Sequence, residues 1–290
     1  MALGLVMALG AAVFFGCAMV LQALGASRHP PASEEAGGGL LGTARAMLNI
    51  PYICGLGLDL LGFIAQLIAL RSLPLYVVQA ALAAALAVTA VAGAFVLRLR
   101  LGRAEWAGVG AVCVGLAVLG VTAGAEGHRQ PSFAFHWGLL VAVALLAAIG
   151  GAVWRLHEPA RALVMGALCG LGFAVVGLAV RVLPAVGWPH IGPLFTEPAS
   201  YALLAGGAVA FVFMTEAVRG GKVTTATAAM VLTETAPPAL LGVLLLGDRT
   251  RPGMVPLAVL GFVVAIAGAL ALARFGEVSG DAAEASPEGI

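Results

Sequence analysis

The chain has 290 residues, 61% of them hydrophobic and 10% charged, with a mean hydropathy of +1.06. Soluble domains run about 45–50% apolar and about 25% charged, so this composition excludes a soluble globular protein and leaves a polytopic membrane protein. The net charge of +1 and the lack of a basic tract give no footing for nucleic acid.

The first apolar run is Leu3–Leu24. No Lys or Arg precedes it, so it lacks the charged start of a cleaved signal peptide and reads as a retained helix. A loop follows over 26–49, with Pro30-Pro31, Glu34-Glu35 and three consecutive glycines from Gly37. Eight further runs then come quickly, at about 50–70, 74–97, 105–123, 136–154, 162–183, 199–218, 223–246 and 254–273. Each holds roughly 20 residues, enough at 1.5 Å per residue to cross a ~30 Å hydrocarbon core. The expected fold is therefore all-α, with nine transmembrane helices. The segment 276–290 is Gly-, Ser- and acid-rich, and it predicts a disordered tail.

Loop charge gives an orientation, because Lys and Arg favour the cytoplasm. Arg28, Arg45, Arg98, Arg100, Arg103, Arg155, Arg161, Arg219, Lys222 and Arg274 fall on one side. Arg71, Arg129, Arg181, Arg249 and Arg251 fall on the other. Ten against five places the first set inside an inner or plasma membrane. The N-terminus is then outside and the C-terminus cytoplasmic. Trp106, Trp137, Trp154 and Trp188 sit at or beyond predicted helix ends, where an aromatic belt would place them. The four cysteines lie in apolar runs without a CxxC pair and read as small buried hydrophobes. The five histidines fall in connections and read as surface residues.

Two stretches resemble each other, Gly57–Gly120 and Leu203–Gly268. Both read helix, short basic turn, helix, Leu-Gly-charge, helix. Ala69-Leu70-Arg71 aligns with Ala217-Val218-Arg219, and Leu101-Gly102-Arg103 with Leu246-Gly247-Asp248. Both final helices carry Gly-x6-Gly, at Gly108/Gly115 and Gly261/Gly268. On the topology above the copies cross in opposite senses, as inverted repeats do in transporters. The expected division is a four-helix half over 1–130, a five-helix half over 131–275 and the tail.

This pattern resembles the EamA module of the drug/metabolite transporter superfamily. The second half fits it better, with Pro237 or Pro238 mid-span and Gly247-Asp248 after the helix. The first half departs, with Thr89-Ala90 in place of the Pro and Arg103 in place of the acid. Nine helices resemble the NIPA-like branch, which implies magnesium or another divalent cation as one cargo. The superfamily's cargoes are diverse, and the fold does not choose among them.

Lys222–Asp248 carries the polar centre of the chain. Thr233-Glu234-Thr235 lies at its middle and Pro237-Pro238 follows. A carboxylate in hydrocarbon costs roughly 2.5–3.5 kcal/mol on insertion scales unless it is matched. A Pro removes a backbone donor, so the helix is expected to bend or break beside that carboxylate. Asp59 also falls near mid-span, on a face with Gly55, Gly62 and Gln66. Gln79 and Thr227 extend comparable faces on their own helices. A substrate or ion pathway through Asp59, Gln66, Gln79, Thr227, Thr233, Glu234 and Thr235 is the functional expectation, with the helix break at Pro237 and Pro238. Oxygen ligands of this kind suit a hard cation, and equally a proton relay. The competing reading makes these residues polar glue between helices in a non-transporting subunit. Gly166-x3-Gly170 reads as packing, and Glu216 as an i,i+3 partner of Arg219.

No enzyme is expected. Arg161 stands where HExxH needs its second His, and neither GxSxG nor a Walker loop occurs. No cofactor is implied, no metal ligand set is assigned, and a homodimer is left open. The partners are the lipid bilayer and a small-molecule or cation substrate. Reporter fusions at Gly276 test the topology. Cytoplasmic signal is expected, and labelling from outside would overturn the nine-span orientation.

Overall fold

The computed structural model describes residues 2–27, 50–96, 101–125, 127, 131–153, 160–184, 192–219 and 223–284. Among them are α1 (Ala2–Ser27), α2 (Ile50–Leu70), α3 (Leu75–Ala83), α4 (Ala85–Val96) and α5 (Arg103–Thr122). There follow α6 (Phe133–Val153), α7 (Ala160–Val182), α8 (Pro198–Arg219), α9 (Val223–Leu241) and α10 (Val255–Glu284). A 3-10 turn, Gly192–Phe195, precedes α8, and a π-turn, Gly242–Leu246, closes α9. No strand occurs among the described residues; Ala123 and Thr250 form one isolated antiparallel bridge.

Among the described residues, nine segments are long and apolar enough to cross a membrane. Helices α3 and α4 form one of them, Leu75–Val96, offset at Ala84, and α9 with its π-turn forms another. The outer helices turn Leu, Ile, Val and Phe outward, as Ile50 (79% exposed) and Phe95 (78%) illustrate. Such a surface is stable only in lipid. The protein is an all-α, multi-pass membrane protein. Trp106 and Trp137, both half-exposed, lie in the first turns of α5 and α6. Trp154 and Trp188 lie outside the described residues.

Two sequence expectations change. Residues from 276 were expected to be disordered, yet α10 carries on as helix to Glu284. Ala271, Ala273, Ala282 and Ala283 sustain it, and the segment lacks a Pro before Pro287. Helix α9 does not break at Pro237-Pro238; it runs through both prolines to Leu241. The surrounding helices hold it in register, and the irregular backbone emerges one turn later as the π-turn. Of the expected loop 26–49, residues 26 and 27 belong to α1 and 28–49 lie outside the described residues.

Helices α3 and α7 form the centre. Every α3 residue except Leu82 is buried. Helix α7 packs along α8 on one side and α9 on the other. Helix α1 packs along α2 and against α3 and α4, while α6 covers α7 and α8. Small residues set the closest approaches, as expected where hydrocarbon offers no hydrophobic drive to helix pairing. Helices α5 and α10 meet through both Gly-x6-Gly motifs. A Cβ at Gly115 would stand 2.5 Å from Ala265 N and 2.6 Å from Gly261 O, and one at Gly268 would stand 2.8 Å from Gly108 O. Gly108 faces Gly268 and Gly115 faces Gly261, an antiparallel register.

These contacts generate a paired test. Gly115→Ala forces α5 off α10 and should lower stability by about 1–3 kcal/mol. Gly110, on the same helix, has open space where its Cβ would be. Gly110→Ala should be neutral or stabilising by up to about 1 kcal/mol. Thermal unfolding in detergent reads both.

Candidate functional site

Glu234 lies on α9 where that helix is pressed against α7. Gly166 and Gly170 bring the backbones together: a Cβ on Gly166 would collide with Ala226, and one on Gly170 with Met230 O and Thr233 Oγ1. The Thr233 hydroxyl donates at 2.9 Å to Ala167 O across the seam or to Ala229 O in its own helix. Thr235 Oγ1 donates at 2.6 Å to Val231 O. Thr233 and Thr235 therefore spend their protons on backbone. Half-buried Glu234 has no hydrogen bond or ion pair among the described residues. The thiol of buried Cys169 is its electrostatic neighbour.

Pro237 and Pro238 still shape this site, although the helix is intact. Each lacks the N–H that would bind the carbonyl four residues back, which frees Thr233 O and Glu234 O. Gln79, on α3, is 1% exposed and its Oε1 has no partner, while its Nε2 packs on Gly177 of α7. Helices α3 and α9 run antiparallel, with Leu75 against Gly242. Counting inward at equal rise puts Gln79 level with Pro238, one turn from Glu234. A carboxylate, a carboxamide and two released carbonyls thus gather where α3, α7 and α9 meet. Every one offers an acceptor, and the low dielectric sharpens the cost of leaving them unmatched.

Asp59 does not join them. It sits on α2, where Gln22 Nε2 of α1 donates to its Oδ2 at 2.5 Å. Gly55 and Gly62 hold α2 against Gln22 and Phe15 of α1, and α2 shares no substantial interface with α9. The expected convergence of three polar faces reduces to two, because the α2 face turns to α1 instead. Gln66 and Thr227, both partly buried, are not brought to Gln79 or Glu234 by any described hydrogen bond. Glu216 is partly buried, and the side chain of its expected partner Arg219 lies outside the described residues. A cleft of about 480 Å³ between α1, α4 and α5 is apolar, lined by Leu9, Val88, Phe95 and Val112 among others, and contains none of these polar groups.

The strongest polar cluster was missed by sequence reasoning. At the end of the bundle where α3 begins, Arg181 Nη2 donates to Asp248 Oδ1 at 2.8 Å, with side chains 6% and 0% exposed. Gly127 N donates to the same oxygen at 2.8 Å, and Leu75 N to Oδ2 at 2.6 Å. Arg181 also donates to Leu70 O at 2.6 Å and Gly127 O at 3.3 Å. Asp248 thereby caps the N-terminus of α3 from 173 residues away, a place where Pro74 supplies no side-chain cap. Gly247, at φ 79°, permits the left-handed turn that aims Asp248 there. The aligned Gly102 has φ −74° and starts α5 instead, so the two Leu-Gly-charge turns differ in conformation. Gly127 admits no Cβ, which would overlap Leu246 O.

Truncating one member of a buried, hydrogen-bonded ion pair costs roughly 3–5 kcal/mol, since the other charge stays buried. Asp248→Ala should therefore lower the unfolding midpoint much more than Glu234→Gln does; equal midpoints would contradict the clamp. No protein-family model, curated protein or solved structure matches this chain.

Proposed function

We propose that the chain is a secondary transporter of the EamA-like drug/metabolite type. It moves a small solute or cation by alternating access, between an inverted first half (1–130) and second half (131–275). The cap around Asp248 would face outward and the C-terminus the cytoplasm of an inner or plasma membrane, following the loop charges.

One observation carries this reading. The matched motifs of α5 and α10 pack on each other reciprocally, Gly108 on Gly268 and Gly115 on Gly261, as two oppositely inserted copies would. A threonine in each half also reaches the backbone of a neighbouring helix. Thr89 Oγ1 donates to Ala85 O in its helix and lies 3.3 Å from Gly16 O on α1. Thr233 does the same to Ala229 O and to Ala167 O on α7. On this frame the Gln79–Glu234 site lies at the boundary of the halves and near mid-depth, where such transporters bind cargo. The matching span of the first half, Leu75–Val96, contains no Asp or Glu, so the carboxylate belongs to one half alone. A divalent-cation site built on two carboxylates is the weaker reading, because Asp59 is bonded to Gln22.

The test is initial transport rate in reconstituted vesicles, across Mg²⁺, amino acids and small cationic drugs. For a transported compound, Glu234→Gln keeps size and removes charge. It should cut the rate by about tenfold or more, roughly 1.4 kcal/mol on the barrier, at unchanged expression. Glu216→Gln should be milder. Wild-type rates in Glu234→Gln across pH would make Glu234 packing glue.

A further inference from the structure

The Arg181–Asp248 cluster sits beside Gly242, about two helical turns beyond Glu234, and shares no described hydrogen bond with it. Its bonds have one property in common. Leu70, Leu75 and Gly127 belong to the first half, and Arg181 and Asp248 to the second. Four of the five bonds counted above cross between halves: Leu75 N and Gly127 N to Asp248, and Arg181 to Leu70 O and Gly127 O. The fifth, the ion pair, holds the two second-half charges together. The surrounding backbone repeats the pattern. Arg249 N donates to Ala125 O, Arg251 N to Thr122 O, Tyr76 Oη to Arg249 O, and Arg71 Nη2 to Pro184 O. The whole end is stitched from one half to the other.

The aligned turn at the opposite end is built differently. The position aligned with Asp248 is Arg103, a cation. The turn there is closed locally, Gly102 N donating to Glu105 of its own helix.

We propose that the Arg181–Asp248 cluster is a gate that holds this end of the bundle shut, and that the protein rests closed at this end. The inference rests on the alternating-access reading. Its mechanism is a release: Asp248 lets go of Leu75 N and Gly127 N while remaining paired with Arg181. The N-terminus of α3 then comes away from the π-turn. The pair stays together because separating two desolvated charges costs more than exchanging amide donors for entering water. Arg181 and Asp248 move as one unit, and first-half residues 70–75, 122–125 and Gly127 move from them. Among the described residues, the other titratable groups at this end are Tyr76, Arg71, Arg249 and Arg251, whose described bonds are to backbone carbonyls or through their own backbone.

The test needs no cargo. Leu75, fully buried beneath the cluster, becomes Leu75→Cys in a protein whose four native cysteines are changed to serine. A membrane-impermeant maleimide is applied to sealed vesicles from the cap side. Labelling should be slow with the cluster intact. It should rise about tenfold or more in Asp248→Asn, a shift of roughly 1.4 kcal/mol in the closed–open balance. Arg181→Lys keeps the charge but has a single ammonium for contacts that the guanidinium fork spans, and should give an intermediate rate. If Asp248→Asn does not yield a monodisperse protein, Arg181→Lys decides alone. Labelling at the parent rate in every folded variant would overturn the gate and leave the cluster as structural glue. Faster labelling in a protein that moves none of the tested compounds would keep the gate and count against the transport reading. Retained transport with unchanged labelling would do the reverse.

Discussion

A charge or backbone group taken into hydrocarbon must find its partner inside the protein, since no water is there to supply one. Asp248 meets that demand more completely than any other described carboxylate. It matches a guanidinium and two backbone amides, and through them fixes the start of α3, the chain beyond α5, the end of α7 and the turn after α9. Helix α3 is the most buried element of the bundle. Its depth and rotation, and hence the placement of Gln79, depend on where its first turn is anchored.

Glu234 shows the opposite condition. The glycines of α7 draw α9 in so closely that Thr233 must bond to backbone, and the prolines release two carbonyls one turn away. The result is an acceptor-rich junction beside a fully buried Gln79 whose Oε1 has no partner. A folded protein that leaves such groups unmatched forgoes stability, and binding sites are where that is tolerated. The two clusters divide the labour in the proposed cycle: one waits for a partner, and the other holds the halves together.

Much of the fold was legible in the sequence. Run length alone locates all nine spans, because crossing a bilayer imposes a length and an apolar character that little else in a protein does. The Gly-x6-Gly pair was legible for a similar reason, since close helix approach leaves few residue choices. The site was only half legible. Mid-span position singled out Asp59 and Glu234 equally, but only tertiary packing tells that Asp59 is matched by Gln22 on α1. Pro237-Pro238 marked carbonyls that lose their helical donors, while the expected break does not occur and α9 stays helical to Leu241. The Arg181–Asp248 pair was overlooked because Arg181 was counted as a loop charge and Asp248 was read only as the end of a Leu-Gly-charge turn. A signal existed: both fell on the same side of the membrane, Arg181 inside the last turn of an apolar run and Asp248 directly after Leu-Gly.

The central idea is that the halves separate at the capped end. Leu3 on α1 and Leu244 in the π-turn are lipid-facing residues of opposite halves, 62% and 58% exposed. Spin labels on cysteines at these two positions, in bilayers, report the distance across that end by pulsed electron resonance. Two distances are expected, the shorter dominant, with weight moving to the longer one in Arg181→Lys. A single narrow distance, unchanged by that substitution, would contradict a bundle that opens there.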